Sequence, residues 1–153
     1  MNYISLLLKI IFSFILLITF SSTSKANNFR ESIEIYGKKN SGTTSLIYIF
    51  NRCSGITGYV HSMLEKEPNS KESSAIYLRV SAEMTNRAST LYSKHSKVDL
   101  NTAMNENLKR AVSMMKLYQE DAKENFIKTG SYLTGIVKQD MDYCVKIEKE
   151  FQK

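Results

Sequence analysis

A chain of 153 residues with 42% apolar and 24% charged residues is long enough for one domain with a real core and too short for two. Its formal net charge of +6 comes with no dense Lys/Arg run and no glycine–aromatic signature of an RNA-binding sheet, so nucleic acid is a poor partner. Two cysteines without a CxxC, a CxxCH or a histidine cluster argue against a cysteine-built metal site or attached haem.

Residues 1–26 read as a secretory signal peptide. Lys9 closes a short basic n-region, and IIFSFILLITF is an apolar run of eleven residues, within the range of a signal h-region and too short to span a bilayer. Ser24 and Ala26 place small residues where a signal peptidase reads, so the mature chain is expected to start at Asn27. The alternative is an uncleaved membrane anchor over residues 4–20. Without Lys9 and Lys25 the remainder holds 19 basic against 15 acidic residues, a net charge of +4. Export also sets the redox context, and two cysteines in an exported chain are more often bonded than free. A Cys53–Cys144 bond would close a loop of about ninety residues, worth about 4–5 kcal/mol in the chain-entropy model.

Residues 27–43 form a polar lead-in, with RESIEIY as a short strand or a helical turn and little fixed order expected. Ser41, Thr43 and Thr44 offer caps for the first long helix. In that helix, Ile49, Cys53, Ile56, Val60 and Met63 recur at steps of four and three, an apolar stripe wide enough to face a core. Gly55 and Gly58 interrupt it, each costing about 1 kcal/mol relative to alanine. They mark either the close approach of a neighbouring helix or a shallow groove. The helix must stop before Pro68, because the residue before a proline is pushed out of helical geometry.

A second helix is predicted from Asn69, with Tyr77, Val80, Met84, Ala88 and Leu91 facing inward and a solvated charge ladder at Arg79, Glu83 and Arg87. Asp99 caps a third, whose stripe is predicted as Leu100, Met104, Leu108, Ala111, Met115, Tyr118, Ala122 and Phe126, with Gly130 as its left-handed stop. The fourth is predicted from Ser131 or Tyr132 to Phe151, burying Leu133, Val137, Met141, Cys144, Ile147 and Phe151.

Four helices with short loops favour an all-α, antiparallel four-helix bundle of up-down-up-down topology over residues 44–153, stapled by Cys53–Cys144. Setting Cys53 opposite Cys144 in an antiparallel register pairs Ile56 with Met141, Val60 with Val137 and Leu64 with Leu133, all apolar. The same register sets Asp140 against Thr57. That suggests a hydrogen-bonded polar pair beneath the disulfide, or else a charge open to a ligand in a cleft beside Gly55 and Gly58. Arg52 is expected as a solvated charge, which in the second case lines the same site.

No GxSxG, SxxK, HExxH or phosphate-binding glycine loop is present, so no catalytic residues, and no cofactor, are expected. His61 with Met63 and Met84 are the residues suited in kind to copper or haem, though methionines more often fill core gaps. The expectation is a small exported protein, periplasmic or extracellular, that binds a protein partner of the cell envelope without catalysis. The alternatives are a carrier of a small apolar ligand or haem, in a groove floored by Gly55 and Gly58 and walled by Met63, Met84 and Met115, and a periplasmic stress chaperone.

Overall fold

The computed structural model describes residues 31–151. The expected export segment over residues 1–26, its alternative as an anchor over 4–20, and the start of the lead-in lie outside the described residues. The described chain is all-α: α1 (Ile33–Lys39), α2 (Thr43–Leu64), α3 (Lys71–Ser96), α4 (Leu100–Thr129) and α5 (Gly135–Phe151). No strand occurs among the described residues, and none of their helices is long and apolar enough to cross a membrane.

The first helix corrects the expectation of a loosely ordered lead-in. The Ser32 hydroxyl accepts from the Ile35 N–H at 3.5 Å, an N-cap bond that satisfies an otherwise orphaned donor. Ile33 is fully buried, and α1 packs on α5 and α2. Tyr36 adds a ring contact to Tyr48 of α2, with centroids 4.5 Å apart.

The remaining boundaries follow local chemistry. Gly42 enters α2 at φ 89°, and α2 ends at Leu64 in a turn that reaches Ser70 through hydrogen bonds from Glu67 N–H to the Leu64 carbonyl (3.0 Å) and from Ser70 N–H to the Glu67 carbonyl (3.1 Å). Ser70, rather than Asn69, occupies the cap position of α3. Asp99 caps α4 by accepting from the Thr102 N–H at 3.0 Å and from the Thr102 hydroxyl at 2.6 Å. Gly130 ends α4 at φ 74°. The last helix starts at Gly135, later than predicted, because residues 130–134 are used as a connection. There Tyr132 stacks on Phe126 with ring centroids 4.3 Å apart, and Asn125 Nδ2 donates to the Thr134 carbonyl at 3.2 Å. Leu133 therefore lies outside the helix in which it was predicted.

The organising element is α2. It packs against every other described helix, most extensively against α3 and then α4. Every residue from Ile49 to Thr57 is buried, so over this stretch the helix is enclosed beyond the apolar stripe that the sequence shows. Contacts between Ser54 and Ser81 and between His61 and Ser74 run α2 and α3 in opposite directions. Contacts between Asn51 and Asn107 and between Gly55 and Met114 run α2 and α4 in the same direction. The disulfide joins Cys53 to Cys144 with their Cα atoms 5.4 Å apart, tying α2 to α5.

At Gly55 the backbone of α4 lies close against α2. A Cβ placed there would lie 2.5 Å from the Met114 Cβ and 2.9 Å from the Met115 backbone nitrogen. Earlier along α4 the buried residues are the smaller ones, Ala103, Asn107 and Ala111. This overturns the predicted stripe along the first half of α4. Leu100 and Leu108 are exposed, and Met104 is half-buried. Farther along, Ala111, Tyr118 and Ala122 are buried as predicted, while Phe126 is exposed. In α5 the buried row is Val137, Asp140, Cys144 and Glu148; Met141 and Ile147 are half-buried and Phe151 is exposed.

Candidate functional site

Arg52 is the sole Lys, Arg, Asp or Glu in the 22 residues of α2, and it is fully buried. This corrects its reading as a solvated charge. Its guanidinium Nη2 donates to Asp140 Oδ2, and its Nε donates to the Tyr118 hydroxyl at 3.1 Å. Tyr118 in turn donates to Asp140 Oδ2. The other carboxylate oxygen, Oδ1, accepts from the Ile33 N–H at 2.7 Å. One carboxylate thus collects α2, α4, α5 and the start of α1.

The expected Asp140–Thr57 pair does not form. The Thr57 hydroxyl instead donates to the Cys53 carbonyl of its own helix at 2.8 Å. Asp140 turns toward Arg52 because a buried carboxylate gains most from a charged donor. Thr57 lies on the floor of a separate cleft of about 350 Å³ bordered by α3 and α5, with Tyr77 and Glu148 on its walls.

Burial pushes the Asp140 carboxyl above its ordinary value, against the opposing pull of Arg52, the Tyr118 hydroxyl and the Ile33 N–H. Burial by itself would lower the Arg52 pKa, but Tyr118, Asp140 and Tyr48 together raise it above the ordinary guanidinium value. Burial also drives the Tyr118 phenol well above its usual range. Arg52, Tyr118 and Asp140 have no solvent exposure, so this centre holds helices together and offers a dissolved substrate no approach.

Polar partnering continues along the helix. The Ser54 hydroxyl lies 3.0 Å from the Ser81 carbonyl and 2.7 Å from the Thr85 hydroxyl, and Ser81 donates back to the Ser54 carbonyl at 2.9 Å. Asn51 Nδ2 donates to Asn107 Oδ1 at 2.8 Å. His61 Nδ1 sits 2.8 Å from the Ser74 hydroxyl, while Met84 is fully buried and Met63 half-buried. No group of three or more His, Cys, Asp or Glu side chains suited to a metal occurs among the described residues.

The two glycines do not share a groove. Gly55 is covered by the α4 backbone, whereas Gly58 faces the Ser81 hydroxyl, 3.3 Å from where a Cβ would stand. Gly58, Ser54 and Met115 instead line a shallow trough of about 270 Å³ that α3 and α4 border with Leu78, Ala82, Met104, Leu108 and Val112. Leu78 is 51% exposed and Leu108 55%. Sequence reasoning missed this surface because it placed Leu108 inside. The signal that marks it is the smaller pair Ala103 and Asn107, one position before Met104 and Leu108, which the fold buries instead.

No protein-family model, curated protein or solved structure matches this chain.

Proposed function

We propose that the protein is an exported, non-catalytic binding module that receives an amphipathic helix of a protein partner in the trough between α3 and α4. The observation that carries this reading is the exposure of long apolar side chains, Leu78, Leu108 and Val112, along one strip while smaller residues of α4 are buried. A contiguous exposed apolar strip marks an interaction surface more often than chance exposure. Two parallel ridges with a shallow floor suit a helix that inserts apolar residues at steps of three and four. Lys109 and Lys116 stand on the α4 side, so acidic residues on the incoming helix would match them.

Export rests on the signal-like pattern of residues 1–26 and is compatible with the Cys53–Cys144 bond, since such bonds persist in oxidising compartments. The short connections and the opposite directions of α2 and α3 support reading the four long helices as an up-down-up-down bundle, with α1 added to one edge.

The test is selection of helical peptides on the oxidised protein, with counter-selection on Leu108→Glu. Recovered peptides with apolar residues at i, i+3, i+4 and i+7 and acidic flanks, which lose binding to Leu108→Glu, support the reading. Recovery of peptides that bind both proteins equally would sink it. Suppression of client aggregation with no peptide preference would favour a chaperone, and concentration-dependent dimerisation abolished by Leu108→Glu would replace the partner by a second copy of this chain.

A further inference from the structure

A different cavity, of about 440 Å³, opens where α2, α3 and α4 meet near the start of α2. Asn51 is part of its lining and is only 2% exposed. Its Nδ2 donates to the Ile47 carbonyl at 2.9 Å and to Asn107 Oδ1 at 2.8 Å, which uses both amide hydrogens. Its Oδ1 is buried with no hydrogen-bond partner. Rotating the amide would turn that oxygen onto two acceptors, so the orientation is fixed by the network. A buried carbonyl oxygen left without a donor is costly and calls for an explanation. At a cavity wall that explanation is a donor brought by a ligand.

The rest of the lining says what else the ligand carries. Arg110 lies over the Tyr92 ring, its guanidinium carbon 4.5 Å from the centroid. No carboxylate is within ion-pair distance of Arg110 among the described residues, and no Asp or Glu lines the cavity. His95 stands beside it, its Nε2 3.5 Å from the Thr44 hydroxyl. Tyr48, Tyr92 and Met114 supply flat and polarisable walls that suit an aromatic ring. The volume falls in the range of small-molecule sites.

We propose that this cavity binds a small aromatic carboxylate with a hydrogen-bond donor at the opposite end of its ring. The carboxylate meets Arg110, with His95 and the Thr44 hydroxyl beside it. The ring lies against Tyr48 and Tyr92, and the donor reaches Asn51 Oδ1. Tyr48 also links this cavity to the buried centre, since its hydroxyl lies 3.5 Å from Arg52 Nη1. The site is independent of the trough proposed for a partner helix and stands or falls without it.

The probe is 4-hydroxybenzoate, titrated into the oxidised full-length protein by calorimetry at low salt and followed by the Asn51 side-chain amide resonances. Benzoate lacks the donor and 4-hydroxybenzyl alcohol lacks the carboxylate. The expected result is saturable binding of 4-hydroxybenzoate that shifts the Asn51 amide, with each control at least about tenfold weaker. Arg110→Gln, which removes a cation that meets the Tyr92 ring and leaves the buried core intact, weakens binding by about tenfold or more with an unchanged circular dichroism spectrum. No Asn51 shift at millimolar probe overturns the proposal. So does equal binding of the three compounds, or binding indifferent to Arg110→Gln.

Discussion

The middle of α2 and the outer strip of α3 and α4 invert the usual placement of polarity. Between Ile49 and Thr57 the molecule buries Asn51, Arg52, Ser54 and Thr57, while Leu78, Leu108 and Val112 face outward. The first arrangement is tolerable because partners come from within the fold: Asp140 and Tyr118 for Arg52, Ser81 and Thr85 for Ser54, Asn107 for Asn51, and the Cys53 carbonyl of the same helix for Thr57. The second has no partner within the described residues beyond the trough walls. Polar groups inside a fold specify which helices meet; apolar groups left outside specify that something else can. The two regions differ in what they demand, the first being satisfied by the chain itself except at Asn51 Oδ1.

Substitutions should separate the two regions, and the largest effects belong to the buried one. Replacing both cysteines by alanine removes a bond that spans 91 positions and should lower stability by about 4–5 kcal/mol in the chain-entropy model, read by urea denaturation against the oxidised protein.

Arg52→Met should cost about 3–5 kcal/mol at neutral pH, because it leaves the Asp140 charge buried without its cation. This change carries a pH signature. The Asp140 carboxyl already lies above its ordinary value of 3.8 in the fold. Its contribution is therefore fully present below the unfolded value and is lost as pH rises through the raised folded one. Arg52→Met should steepen that decline and recover stability toward pH 4, whereas adding Asp140→Asn should flatten it. Equal losses at pH 4 and pH 7 would contradict the buried ionic centre.

Gly55→Ala forces a methyl into α4 and should cost about 1–3 kcal/mol. Gly58→Ala, which meets only a movable hydroxyl, should cost far less by the same thermal denaturation. Leu108→Gln should change stability by no more than about 0.5 kcal/mol while abolishing capture of a selected peptide helix. A large loss of stability from Leu108→Gln would return that side chain to the core.

Much of the fold could be read before any coordinates. Pro68, Asp99 and Gly130 mark helix ends by local chemistry, and the two cysteines announce the staple. The misreadings have a common cause. On α4, Leu100, Met104 and Leu108 repeat at the same interval as Ala103, Asn107 and Ala111, so periodicity cannot choose between the rows. Side-chain size favoured the leucines, whereas the fold turns the smaller row inward, where Asn107 meets Asn51. Arg52 was misjudged because a charge is ordinarily solvated. The counter-signal was present: a helix with a single charge, and an inward-facing Asp140 without a counterion. Neither Tyr118 nor the Ile33 N–H could be assigned to that centre, because their places depend on how α4 and α1 lie across α2. The small site at Asn51 and Arg110 was invisible for the same reason.

The bond between Cys53 and Cys144 has a topological consequence. It ties the second long helix to the last and encloses the connections at 65–70 and 130–134, where Glu65 to Asn69 and Thr129 to Tyr132 are exposed. A protease that nicks either connection once releases no fragment: the severed ends belong to a closed covalent ring, and every helix stays attached to the rest. Backbone scission there and loss of the molecule become separate events, the second requiring another cut or a reductant.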